Sequence, residues 1–373
     1  LDDGAMIYVY NGTYNESLLI NKTIKLYGEN NRGVIVSNDN VVIDVLSNGS
    51  LEIHNFTIRD GTTGIRYING RGRCIIENCI FYNKENVVLR NSSYNSIINC
   101  QMSTGDTGVR IEDSEGNAID GCAISHMGNG IYMSDSQWNL IHNCSFKHND
   151  NSIYLYRSDN NTICGCYIEV KNLLSILPSP NMGIKMVESN DNLVTVCNIS
   201  NATTYAVYLS SSSGNEISLC NIYENGYGIY LVASSENIIS SCNFVNNTGP
   251  GVLIDQASVN NSIFYNNFIL NGVGRKGSIQ AYDAGNGNKW YLATAETLVT
   301  NSSFGEGNFW SDYTGNDTNG DGIGDTPYNI SGPAGSQDLY PLVQICMWDK
   351  WFGIRWGTRD DPWVRAPVPY IHI

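Results

Sequence analysis

One phrase, Asn-x-(Ile/Val)-x-x-Cys-x-(Ile/Phe/Met), recurs seven times along the 373 residues. Its asparagines are Asn95, Asn117, Asn139, Asn161, Asn192, Asn215 and Asn237, and each is followed five residues later by Cys100, Cys122, Cys144, Cys166, Cys197, Cys220 or Cys242. The asparagine spacings are 22, 22, 22, 31, 23 and 22. A fixed period of this length means a stacked, quasi-one-dimensional chain, because each unit can bury its apolar face only against its neighbours. The cysteines then form one column instead of seven scattered thiols.

Within each repeat, apolar residues alternate over short stretches bounded by Gly, Asn and Ser, as around Ile119, through Cys122 and Ile124, and at Ile131 and Met133. That is the period-2 signature of strands, and no 3.6-residue period is sustained anywhere. Twenty-two residues hold three short strands and three turns, and successive coils lie about 4.8 Å apart at ordinary strand spacing. The expected fold is all-β, a right-handed parallel β-helix of about twelve coils. Cys74 and Cys79 continue the register one coil earlier; Asn261, Ile263, Asn266 and Phe268 continue it one coil later. The 31-residue spacing predicts an insertion over 171–184. The expected organisation is a β-helix over 1–285, a capping segment over 286–343 and a Trp/Pro-rich tail over 344–373.

The asparagine column, and a serine column three residues before it (Ser92, Ser114, Ser136, Ser158, Ser189, Ser212, Ser234), read as scaffold, since stacked polar side chains satisfy one another and the turn backbone. The cysteine column, extended by Cys79, has two readings: disulfide staples between coils, or buried thiols packed as small hydrophobes. Cys164 and Cys346 lie off the column and are the candidates for links between chains.

Composition points outside the cell. Thirty-six acidic residues against 21 basic ones give a net charge of −15, which disfavours nucleic acid and anionic membranes as partners. Eleven cysteines are many for a reducing cytosol. Fifteen Asn-x-Ser/Thr sequons are candidate glycan acceptors: Asn11, Asn15, Asn21, Asn48, Asn55, Asn91, Asn143, Asn160, Asn198, Asn201, Asn246, Asn260, Asn301, Asn316 and Asn329. Many follow by chance from a chain rich in Asn and Ser. No run of about 20 apolar residues is long enough to span a membrane. The chain opens at Leu1 in mid-pattern, which leads to the expectation of a processed or truncated product.

The coil phrase, with its Gly-Ile-x-Leu-x-x-Ser ending, resembles the repeats of NosD-like and carbohydrate-binding/sugar-hydrolase β-helix families. The segment GEGNFWSDYTGNDTNGDGIGDTPYNISGPAGSQDLYPL at 305–342 resembles the C-terminal part of NosD-type repeat proteins of methanogenic archaea. The resemblance implies an exported surface or sheath protein. It covers roughly residues 6–343 and implies no activity, because the fold hosts enzymes and inert scaffolds alike.

Individual sites fall where the phrase breaks. Asp317, Asn319, Asp321 and Asp325, in DTNGDGIGD, space oxygen ligands like the first part of an EF-hand loop and suggest calcium, although Tyr328 replaces the bidentate Glu. The alternative is an Asp/Gly turn. His126 and His148, and His142 with Cys164, are register neighbours that a soft metal could use, and are more simply surface polar residues. Exposed tyrosines such as Tyr132, Tyr154 and Tyr156 suit carbohydrate. No catalytic constellation recurs in register. The tail carries Trp348, Trp351, Trp356 and Trp363, aromatic anchors of the kind found at interfaces; it reads as a cap over its own solenoid or, preferably, as a docking element for the next copy. The expectation is a self-assembling subunit of an archaeal surface layer, sheath or filament, with itself and cell-surface glycans as partners. The alternative is a secreted polysaccharide lyase, epimerase or hydrolase, or a carbohydrate-binding β-helix.

Overall fold

A computed structural model describes residues 2–170, 181–272, 279–292 and 307–346. It is all-β, a solenoid of about twelve coils in which every strand of one coil pairs in parallel with its counterpart in the next. Three faces run the length of the rod. The first is a 12-stranded sheet from Ala5–Val9 to Ser262–Phe264. The second begins at Gly12–Asn15 and ends at Phe309–Trp310; the third runs from Leu18–Ile20 to Ala281–Asp283. Gln101–Glu112 and Ala123–Ser134 turn the corner as continuous strands, so the second and third faces join into one sheet.

Alternation decides what faces in. On the first face from Ser96–Ile98 onward one apolar side chain per coil enters the core, and Ile97, Ile119, Ile141, Ile163, Val194, Ile217, Ile239 and Ile263 stack in register, all buried. Each such side chain contributes roughly 1.5–3 kcal/mol through burial. Only the neighbouring coils supply that burial, so the unit is stable as a stack and not alone.

The bends repeat as strictly as the strands. Each coil turns through single residues in the left-handed region, and the next residue points inward. Asn78, Asn99 and Asn143 hold this conformation before Cys79, Cys100 and Cys144; Gly121 and Gly165 hold it before Cys122 and Cys166. Asn and Gly tolerate positive φ at least cost; Val196, Leu219 and Ser241 hold it before Cys197, Cys220 and Cys242. Asn91, Asp113 and Asp135 take it before the serines of the ladder, and Trp138, Asn160 and Asp191 before the asparagines.

Bends break the strand pairing and leave buried backbone N–H groups, which the ladders satisfy. The N–H of Asn95 donates to Asn117 Oδ1, that of Asn117 to Asn139 Oδ1 and that of Asn139 to Asn161 Oδ1, each at 2.9 Å. The Nδ2 groups donate along the same line. The serine N–H groups donate to the next Ser Oγ from Ser92 through to Ser258. A further ladder at another corner, Asn225, Asn247, Asn271 and Gln280, does the same.

At the C-terminal end, Phe244, Phe268, Trp310 and Tyr328 stack with centroids 4.9, 4.3 and 4.2 Å apart. Buried Asp338 accepts from the Trp310 indole (2.9 Å) and the Asn308 N–H (2.7 Å). Burial pushes its carboxyl up to about 6.

Replacing Asn161 with Ala strands the N–H of Asn139 and the carbonyl of Ser136, both bonded through Asn161 in the native chain. At about 1–3 kcal/mol per stranded buried group, Asn161→Ala is expected to destabilise the rod by on the order of 3 kcal/mol in urea unfolding, and Asn160→Gly by far less. Equal effects would show that the ladder is not what stabilises the bend.

Candidate functional site

The third face carries the most chemistry on its outer side. One outward column there runs Asp44, Arg66, Val88, Arg110, Tyr132, Tyr154, Lys185, Tyr208 and Tyr230, each beside the next. Tyr205 and Tyr227 lie beside it in a neighbouring register column, and Tyr156 flanks it on the other side. The rings touch: Tyr132–Tyr154 at 5.3 Å, Tyr205–Tyr208 at 5.5 Å, Tyr205–Tyr230 at 5.1 Å and Tyr208–Tyr230 at 5.8 Å between centroids. All are half-buried. The Lys185 ammonium lies 4.3 Å from the Tyr154 centroid and the Arg110 guanidinium 5.2 Å from that of Tyr132. Arg110 is held between Glu85 and Glu112, and Arg66 by Asp44. The result is an aromatic shelf with cations at intervals, and tyrosine offers large contact area at low conformational cost.

A second group of titratable side chains sits on the outer first face, in early coils. Glu52 accepts from Lys25 (2.7 Å) and Tyr27 (2.5 Å); His54 lies between Glu52 (3.1 Å) and Glu77 (3.0 Å) and stacks on Tyr27 at 4.7 Å. These donors, Lys25 first and then Tyr27, hold the Glu52 carboxyl down at about 2. The sequence reading missed this cluster. Its signal is spacing: Lys25 and Glu52, and Tyr27, His54 and Glu77, are register partners. Charge pairs one coil apart were missed likewise, although Asp44–Arg66, Asp120–His142 and Asp135–Arg157 are each separated by 22 residues.

The cysteine column stands where the repeat places it. Cys79, Cys100, Cys122, Cys144, Cys166, Cys197, Cys220 and Cys242 are all buried and all free thiols. Their sulfurs donate to backbone carbonyls, Cys144 to His142 O at 3.2 Å for example. Burial pushes Cys100 and Cys220 well above the ordinary thiol range and Cys74 up to about 12. Cys164 and Cys346 are half-buried; the backbone of Cys346 is bonded to Asn267.

The sequons have a local cause. Asn55, Asn91, Asn143, Asn160, Asn201, Asn246 and Asn260 all occupy left-handed bends, where Asn is favoured, and each precedes an inward-facing residue. Some amides are engaged: Asn91 Nδ2 donates to Asn69 Oδ1. Asn198 accepts from Asn221 in a ladder on the outer second face. Asn11, Asn15, Asn21, Asn48, Asn316 and Asn329 are exposed. Asn301, the tryptophans Trp348, Trp351, Trp356 and Trp363, and residues 171–180 lie outside the described residues.

The metal expectations meet a different geometry. Asp317 accepts from the N–H groups of Gly320, Asp321 and Gly322, and Asp325 from Thr318. The carboxylates of the expected calcium loop accept from the loop's own backbone, and Asn319 donates to Asp321. His126 and His148 have ring centroids 5.2 Å apart as successive bend residues. Among the described residues no three His, Cys, Asp or Glu side chains converge to hold a metal.

The profile of a right-handed β-helix region matches residues 40–173, and that of a family described as periplasmic copper-binding protein (NosD) matches 175–315. The chain is a NosD-like right-handed β-helix protein. A stretch of 68 residues, 17% of this NosD-like chain, is 40% identical to a probable ABC transporter binding protein NosD from Stutzerimonas stutzeri, and covers 15% of that relative's length. The Dettilon tailspike protein is 14% identical with a TM-score of 0.53 over 70% of this chain and 60% of its own. The periplasmic alginate epimerase AlgG is 17% identical with a TM-score of 0.50 over 76% and 68%. Both share the fold. The copper in the family description finds no fitting donor set among the described residues, whose column thiols are enclosed and bonded to carbonyls.

Alkylation of the native chain is expected to label Cys164 first and the column cysteines only on unfolding, as read by peptide mass spectrometry. Labelling of Cys144 at the rate of Cys164 would contradict the enclosed column.

Proposed function

We propose that this chain is an extracytoplasmic structural rod of a cell surface, with an extended polysaccharide held along the third face. The single observation behind it is the tyrosine shelf. Seven half-buried rings (Tyr132, Tyr154, Tyr156, Tyr205, Tyr208, Tyr227 and Tyr230) gather on one outer surface instead of being dispersed, and a contiguous aromatic patch of this kind marks an interaction site. Amphipathic rings suit sugar, whose faces are apolar and whose edges are wet. The shelf lies on a different face from the Glu52–His54–Glu77 group, so binding does not bring a ligand on it to the titratable cluster. The periplasmic description of the family, the acidic surface and the exposed sequons support the location. The archaeal surface layer, sheath or filament is the finer form of this reading, with copies joined through the aromatic tail and with Cys164 or Cys346 as cross-linking thiols.

A paired Tyr154→Ala and Tyr208→Ala variant is expected to lose at least tenfold in affinity for polysaccharide on affinity electrophoresis, the two rings contributing roughly 1 kcal/mol each, while its melting temperature moves little. Unchanged retention would remove the shelf from the reading. Cleavage or epimerisation of the polysaccharide in the same assay, abolished by His54→Gln, would shift the role to the enzymatic alternative, for which that cluster is the observation. For assembly, the full chain is expected to form ordered polymers under the electron microscope and a chain ending at residue 344 to remain single; polymers from both would clear the tail of that role.

A further inference from the structure

Lys185 sits in the middle of the shelf, with Tyr132 and Tyr154 on one side along the rod and Tyr208 and Tyr230 on the other. It is half-buried. The other cations of the column have carboxylate partners, Arg66 in Asp44 and Arg110 in Glu85 and Glu112. Lys185 pairs with no carboxylate among the described residues; its ammonium lies instead on the face of Tyr154. A chain with a net charge of −15 could neutralise this site with any of many acidic residues, yet sets a lone cation among aromatic rings. Burial also lowers the affinity of Lys185 for its proton, which is the cost of partial desolvation without a counter-charge.

We propose that the shelf selects an acidic polysaccharide, a polyuronate, with a uronate carboxylate seated on Lys185 and the sugar rings before and after it lying on the tyrosines. This rests on the reading of the shelf as a glycan-binding face and adds the charge of the ligand. The carboxylate replaces the missing partner of Lys185, and a charge-assisted contact in a partly dry, aromatic setting is worth more than one in open solvent. A neutral glycan leaves that cation unpaired and partly desolvated. The central place of Lys185, with two rings of the column on each side, makes one carboxylate per bound stretch the decisive contact and the rings the sequence-tolerant remainder.

The test uses the full chain, polygalacturonate oligomers, and neutral cello-oligosaccharides of matched length, with binding measured by calorimetry at two salt concentrations. The native chain is expected to bind the polyuronate about tenfold more tightly than the neutral oligomer at the higher salt, where the long-range repulsion from a rod of net charge −15 is screened and the partly buried contact at Lys185 is screened less. Lys185→Met is expected to erase that preference, weakening polyuronate about tenfold and leaving neutral binding within about twofold. Lys185→Arg is expected to retain the preference. Equal binding of both sugars by the native chain, or an unchanged preference in Lys185→Met, overturns the charge assignment while leaving the shelf reading intact. Failure of both sugars to bind overturns both. A change in sedimentation of Lys185→Met without any change in sugar binding would assign the shelf to a second copy of this chain and also overturn the proposal.

Discussion

Everything in this molecule depends on satisfying the backbone where it bends. A parallel coil pairs its strands with ease, but each corner turns a backbone N–H away from the sheet and into a dry interior. Left alone such groups would cost about 1–3 kcal/mol apiece, repeated at every bend of about twelve coils. The inward Asn and Ser side chains remove that cost by accepting the stranded N–H of the preceding coil. The period is therefore kept by hydrogen bonding as well as by the apolar core: a coil of the wrong length would bring its amide to the wrong height. The insertion after Val170 leaves this undisturbed, because Asn161 still meets Asn192 at 2.8 Å.

Most of the fold could be read from the sequence because the side chains that fix it are the repeating ones. Through the seven phrases Ile97, Asn95 and Cys100 each recur at 22 or 23 residues, apart from the one 31-residue step, and a period needs no structure to be seen. The second asparagine ladder escaped because its column is interrupted, with Met127 and Ala202 standing where Asn149 and Asn225 stand in other coils. The bend columns escaped for a related reason: left-handed backbone is a conformation and not a residue type, and Trp138, Val196 and Leu219 adopt it under the force of their neighbours. The candidate site was legible only in part. Tyr132, Tyr154 and Tyr156 could be placed outward by alternation, but the approach of Tyr205 to Tyr230 and of Lys185 to Tyr154 crosses coils of 22, 23 and 31 residues, and no single period reports it. In the acidic loop, ligand spacing along the chain does not say where a carboxylate turns, and Asp317 accepts from its own backbone.

The charges follow the same logic of stacking. Side chains one coil apart lie at strand spacing, so an acid in one coil and a base in the next meet without any special loop, as Asp135 and Arg157 do. Exposed pairs of this kind stabilise little singly. On the outer column of the third face they pair Arg66 and Arg110 and leave Lys185 the one cation of that column without a carboxylate among the described residues, which gives it its weight.

The ladders also have a direction. Each asparagine hands its Nδ2 hydrogen to the next residue toward the C-terminus; the first line ends at Asn288, which donates to Asp283, and a short line at a third corner, Asn266 to Asn308, ends on Asp338. A carboxylate only accepts, and each of these also takes an indole N–H, so neither line can be passed on. At the opposite end the first line starts at the N–H of Cys74, whose own side chain offers the preceding coil no amide. The polar chain is thus a sentence with a beginning and a full stop. Coils can be gained or lost between Asn117 and Asn237, where donor and acceptor are interchangeable, without stranding a single amide; beyond Asn288 and Asn308 no coil of the same kind can be added.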